Sequence, residues 1–302
     1  MLSYPEALEY QVAAAQKKTK AATHIGSYTI ASMLGGAYVG IGVVVMLTAA
    51  GPFFENNDPA VKLISGIVFS AALSLVLVAG AELVTSNMMT LSQGLFQRRI
   101  RFTVWGRTLT LNFLGNLLGA VFLAVVVWLS GVTHHGTAAY SYLEALLTSK
   151  TSESIPVMFF RAILCNALVC LAIWSGVRLK SEVARLIMIF WCILAFVTSG
   201  FEHVVANMTT FTLGFLNGVP DITATDFALN MVVVGAGNLV GGSILVGLTY
   251  VVLARAETRA HAEEVNIEST PAVQADAPPT SAKAASNADS SVTPAADVSL
   301  SR

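Results

Sequence analysis

Residues 81–95, AELVTSNMMTLSQGL, align without a gap on residues 201–215, FEHVVANMTTFTLGF. Glu82, Val84, Asn87, Met88, Thr90 and Gly94 meet Glu202, Val204, Asn207, Met208, Thr210 and Gly214, all at an offset of 120. A second pair, GNLLGA at 115–120 and GNLVGG at 237–242, recurs at an offset of 122. Two matches at nearly one spacing mark an internal duplication, and a duplicated chain folds as two copies of one unit.

Composition identifies the solvent of that unit. Apolar residues make up 55% of the chain and charged residues 12%, where soluble domains carry about 25% charged, so most of the surface faces lipid. Apolar runs lie at about 29–50, 60–96, 106–130, 156–176, 185–218 and 226–254. The first, third, fourth and sixth each suit one crossing, because a helix needs roughly 20 residues to span ~30 Å of hydrocarbon. The second and fifth are too long for one crossing. They also hold Glu82 and Glu202 near their middles, where a lipid-facing helix does not tolerate a carboxylate.

The predicted fold is therefore an all-α membrane protein with six transmembrane helices. Each copy of the duplication holds three spans, and an odd number turns the second copy over in the membrane, giving two inverted three-helix repeats. The matching segments lie inside the overlong runs, so helices 2 and 5 are expected to be broken near the midplane. Unwound backbone survives there only when it is buried in protein or lines a polar cavity. The GxxxG spacings Gly115/Gly119 and Gly237/Gly241 predict close helix packing within the bundle.

Basic residues set the orientation. Arg98, Arg99, Arg101 and Arg107 lie between spans two and three, Arg178, Lys180 and Arg185 between four and five, and Arg255 and Arg259 after six. These read as cytoplasmic loops of a multi-pass protein of the cell membrane, with both termini inside. Residues 1–28 read as an amphipathic cytoplasmic segment without the pattern of a cleaved signal, lying at the interface with Lys17, Lys18 and Lys20 near anionic head groups. Residues 29–255 read as the transmembrane domain. From 256 to 302, Ala, Ser, Pro, Thr and Asp predominate, and a disordered cytoplasmic tail is expected.

Several function classes fall away. A net charge of −1 without a basic face argues against a nucleic-acid partner. Cys165, Cys170 and Cys192 sit in apolar runs without ligand spacing and read as packing residues. No nucleophile–base set or metal spacing is visible, so neither an enzyme nor a cofactor is expected.

His203 is the one histidine inside an apolar span, and it adjoins the break in span five. An intramembrane ionisable group is a functional residue by default, though a neutral histidine bonded in a packed core is the alternative. The break of span two should face it, making Thr85 the nearest small hydroxyl, there to orient the imidazole, bind a substrate or cap a helix. Glu82 and Glu202 precede half-helices, whose unpaired N–H groups favour a carboxylate, so capping is the expected role; an ionised pair in a cation pore is the competitor. Asn166 and Val169 share a face of span four, with interhelical bonding the plainer role of the asparagine. Phe69, Leu73 and Phe196 are candidates for apolar constrictions or for ordinary core packing.

At these residues the chain resembles the formate/nitrite transporter family. The strings are GAELVTSN at 80–87, RAILCNALVCLAIW at 161–174, SGFEHVVANM at 199–208 and GNLVGG at 237–242, and the likeness covers roughly residues 5–255. It implies an aquaporin-like protomer with broken second and fifth helices, and a homopentamer with one pore per protomer. It also implies a substrate pore with its histidine at His203, the threonine partner at Thr85, an outer lysine at Lys150 and the family asparagine at Asn166. Constriction residues fall at Phe69, Leu73, Val169 and Phe196. Family members commonly carry Phe where this chain has Val84, so the inner constriction is expected to differ in shape.

The implied function is a channel or transporter for small monovalent anions such as formate or nitrite, with protons as the second partner. Lys150 and the half-helix dipoles attract the anion, which crosses a dry slit after protonation near His203, from the imidazolium or from water. A facilitator of water, glycerol or ammonia would share the broken helices and is the alternative.

Overall fold

The computed structural model describes residues 1–269, and every regular element among them is helical. Five helical stretches are long and apolar enough to cross a membrane: Ile25–Glu55, Val61–Val78, Phe102–Leu129, Ile155–Arg178 and Ala224–Glu264. In chain order the helices are α1 (Tyr4–Ala21), α2 (Ile25–Glu55), α3 (Val61–Phe69), α4 (Ala71–Val78), α5 (Val84–Phe96) and α6 (Phe102–Leu129). There follow α7 (Ala138–Ser152), α8 (Ile155–Arg178), α9 (Glu182–Thr198), α10 (Val204–Asn217), α11 (Ala224–Val240), a π-helical stretch (Gly241–Leu248) and α12 (Thr249–Ser269). The apolar run 185–218 is divided between α9 and α10, neither long enough to cross alone.

Both overlong runs stop and restart at equivalent places. Helix α4 ends at Val78 and α5 begins at Val84; α9 ends at Thr198 and α10 begins at Val204. Each first segment is closed by a glycine in the left-handed region, Gly80 at φ +81° and Gly200 at φ +71°. The following N–H groups reach back across the last turn, Ala81 to the Val76 carbonyl (2.9 Å) and Phe201 to the Phe196 carbonyl (3.0 Å). This closure satisfies a carbonyl in the last turn of each first segment, and only glycine takes the required conformation without strain.

The GxxxG pairs lie where the helices come closest. A side chain on Gly115 or Gly119 would run into Ser32 or the Met33 backbone of α2, and one on Gly237 or Gly241 into the Phe159 or Ile163 backbone of α8. Helix α2 thus seats on α6, and α8 on α11, through small residues that bring backbones together. Outward faces stay apolar: Leu118, Phe122 and Leu129 of α6 are all more than half exposed. Cys165, Cys170 and Cys192 are free and buried.

Two expectations are corrected. Helix α1 does not lay its apolar face on lipid, since Ala7, Leu8, Val12 and Ala15 are buried in protein. Its start is tied down by Leu2 N–H to the Arg178 carbonyl (2.9 Å), and its Lys18 turns inward to Glu82, leaving Lys17 and Lys20 exposed. Helix also continues past residue 256 to Ser269, because ARAETRAHAEE is rich in strong helix formers. The rest of the expected tail, from 270, lies outside the described residues. The first of two compact units is Met1–Ala262.

Candidate functional site

The peptide groups at the two breaks need partners, because at this depth no lipid can supply them. Asn116 and Asn238, from the two GN repeats, supply them in the same way. The Asn116 Nδ2 donates to the Glu82 carbonyl (2.8 Å) within the first break, and its Oδ1 accepts from Val84 N–H (2.9 Å) where helix resumes. Asn238 does the same for the Glu202 carbonyl (2.9 Å) and Val204 N–H (2.9 Å). One amide thus holds the downstream lip of each interruption, where helix restarts. Glu82 N–H donates to the Ala31 carbonyl and Glu202 N–H to the Arg161 carbonyl.

This arrangement corrects the capping role expected of the glutamates. Neither carboxylate accepts from a helix N–H; each instead joins a lysine and an asparagine. Glu82 Oε2 accepts from Lys18 Nζ (2.7 Å) and Asn87 Nδ2 (2.7 Å). Glu202 accepts from Lys150 Nζ on both oxygens (2.7 and 2.8 Å) and from Asn207 Nδ2 (2.7 Å). The lysines come from α1 and α7, the two helices that precede the long first span of each half. The carboxylates are therefore paired rather than bare, and the Lys150–Glu202 pair is the better buried, at 15% and 6% side-chain exposure.

His203 is itself the cap of α10. Its Nδ1 accepts from Ala206 N–H (3.2 Å), so that nitrogen carries a lone pair and the ring is the neutral tautomer with its proton on Nε2. Nε2 lies 3.0 Å from Thr85 Oγ1 and donates to it. The threonine hydroxyl proton is then left to point at a third group. The chain of donors runs from the α10 backbone through the imidazole to Thr85, and both side chains are buried.

A cavity of about 280 Å³ leads to this pair from one side, and Phe69, Phe196, Lys150, Glu202 and His203 are among the residues lining it. The Phe69 and Phe196 rings meet edge to face at 5.9 Å, and Phe196 lies against the His203 ring at 6.0 Å. Apolar rings therefore flank the imidazole. Three cations line the same cavity. Lys150 is neutralised by Glu202 and Arg161 by Glu153, whereas Lys62 is exposed and has no ion-pair partner among the described residues.

The other expected residues are buried but do not line this cavity. Leu73, Val84 and Val169 belong to the hydrophobic core. Asn166 spends its Nδ2 on the Asn238 carbonyl (2.6 Å) and the Thr85 carbonyl (3.1 Å), so it positions Thr85 rather than facing the opening. The site roles of Asn116, Asn238 and the Arg161–Glu153 pair went unread in the sequence, and Lys18 faces Glu82 rather than the anionic head groups expected for it. The asparagines had a signal, the N that follows G in both copies of the second repeat. Lys18 had a fainter one, a basic residue closing the helix before a span, as Lys150 does. No group of three or more His, Cys, Asp or Glu among the described residues could hold a metal.

Comparison with known proteins identifies the family of the chain and finds its fold among solved structures. Residues 5–252 match the family described as formate/nitrite transporter. The nitrite transporter NirC of Escherichia coli K12 is 37% identical over 225 residues, covering 74% of this chain and 82% of that protein. A solved FNT family ion channel superposes with a TM-score of 0.76 at 34% identity, covering 81% of this chain and 97% of that one. A pentameric formate channel with formate bound superposes at 0.66 and 23% identity, over 76% and 98% of the two chains.

Proposed function

The chain belongs to the formate/nitrite transporter family, and on that premise we propose that this multi-pass membrane protein conducts small monovalent anions such as formate or nitrite through a pore centred on His203 and Thr85. The observation that carries the reading is the donor chain Ala206 N–H, His203, Thr85, set between two Lys–Glu–Asn clusters of matching geometry. Donors aimed at one point among apolar rings suit a small oxyanion or its conjugate acid.

In this reading the two halves are inverted repeats of three spans, with α3 to α5 and α9 to α10 as the interrupted second and fifth. Both termini lie on the cytoplasmic side of the cell membrane. Five protomers assemble, as in the pentameric formate channel of similar fold, and each protomer of this chain carries its own pore. The vestibule beside Lys150 faces outward, and Lys62 supplies its uncompensated positive charge.

An anion gathered there meets the Phe69–Phe196 constriction, where a full charge would cost several kcal/mol. A proton removes that cost. In the geometry seen, the imidazole holds one proton, and a second on Nδ1 would face the Ala206 N–H, so the proton comes from water and His203 keeps Thr85 aimed as a donor. Asn166 holds the Thr85 backbone in place for this.

Proteoliposomes offered formate, nitrite and glycerol, with internal pH recorded, test the reading. Formate and nitrite are expected to enter with acidification of the lumen, because each neutral acid releases its proton inside. Glycerol flux without either anion overturns it in favour of a neutral-solute facilitator.

A further inference from the structure

A second cavity, of about 480 Å³, lies between α1, the turn joining α5 to α6, and α12. It shares no lining residue with the vestibule beside His203. Arg99, Arg255 and Arg259 line it, against the single carboxylate of Glu9, while Leu8 and Val12 give it an apolar wall. Arg255 is held in place, its Nη2 donating to the Phe96 carbonyl (3.0 Å) and to Gln97 Oε1 (3.2 Å). Arg99 and Arg259 have no side-chain partner among the described residues. Arg99 and Arg259 thus bring two guanidinium groups to one cavity without a structural task among the described residues.

The level of the groove is marked by its neighbours. Val252 and Leu253, just before Arg255 on α12, are 56% and 39% exposed, as expected of residues that face hydrocarbon. Beyond them α12 turns polar. Phe102, 68% exposed, stacks on Trp105 at 5.2 Å directly after the Arg99 turn, and aromatic rings of this kind mark the membrane–water boundary. The groove therefore sits at head-group depth, with an apolar wall beside its cations.

We propose that this groove is a binding site for the phosphate head group of an anionic phospholipid. Arg99 and Arg259 would grip the phosphate oxygens, since planar guanidinium forks match phosphate, and Leu8 and Val12 would cover the glycerol and first methylenes. Glu9 opposes the anion and sets the affinity.

The full chain in nanodiscs of phosphatidylcholine, titrated with phosphatidylglycerol and read by native mass spectrometry, tests the site. One saturable phosphatidylglycerol site is expected, insensitive to equimolar inorganic phosphate. The double variant R99Q/R259Q should bind about thirtyfold more weakly, each surface arginine being worth about 1 kcal/mol. E9Q should bind more tightly, by several-fold. Unchanged affinity in R99Q/R259Q, or equal retention of both lipids, overturns the proposal, and displacement by inorganic phosphate replaces lipid with a soluble phosphate ligand. Should the double variant fail to fold, E9Q decides: weaker or unchanged binding sinks the site.

Discussion

Thr85 Oγ1 and His203 Nε2 stand 3.0 Å apart across the two interrupted segments, and the opposite ring nitrogen of His203 caps α10. One side chain thus closes a helix end and directs a hydroxyl. The two tasks fix a single tautomer, because the capping nitrogen must keep its lone pair while the other donates.

The tautomer can be read directly. Nitrogen-15 spectra of labelled imidazole should show the Nε2–H form near neutral pH. A dominant Nδ1–H form would remove the donor chain from the mechanism.

Substitution separates the two tasks. His203→Asn keeps an oxygen able to accept from Ala206 N–H, so stability should fall little while anion flux drops at least tenfold. His203→Ala also loses the cap and should unfold with about 1 kcal/mol less stability than His203→Asn. Thermal unfolding in detergent beside liposome flux distinguishes them.

The buried pair predicts an asymmetry. Lys150→Gln leaves Glu202 charged at 6% side-chain exposure, and should cost roughly 3 kcal/mol of stability. The double variant Lys150→Gln with Glu202→Gln should recover part of that loss. Lys18→Gln should cost less, because its pair with Glu82 is 26% and 18% exposed. Equal losses at the two lysines would mean that burial does not govern these pairs.

Lys62→Gln should slow anion uptake at low ionic strength and match the parent protein near 0.5 M salt, where screening falls within about 4–5 Å. A deficit that ignores salt would assign Lys62 a structural task instead.

Gly80→Ala and Gly200→Ala force a Cβ into the left-handed region and should each cost about 1–2 kcal/mol. Gly26→Ala, in the first turn of α2 with open space around it, should be neutral or slightly stabilising. Unfolding midpoints of the three variants settle the contrast.

The duplication and the pattern of apolar runs by themselves determined the helical class, the places where helix stops, and the pairing of His203 with Thr85. Those properties are written in periodicity, in length against bilayer thickness, and in an intramembrane histidine that is costly without a use. Which residue satisfies which peptide group was decided only in three dimensions. Glu82 and Glu202 looked like caps because they precede half-helices, yet Asn116 and Asn238 reach the lips of the breaks first and leave the carboxylates to Lys18 and Lys150. Asn166 looked like a pore residue and instead holds the Thr85 carbonyl. Such choices depend on ångström distances between segments far apart in the chain, and no local pattern of residues encodes them.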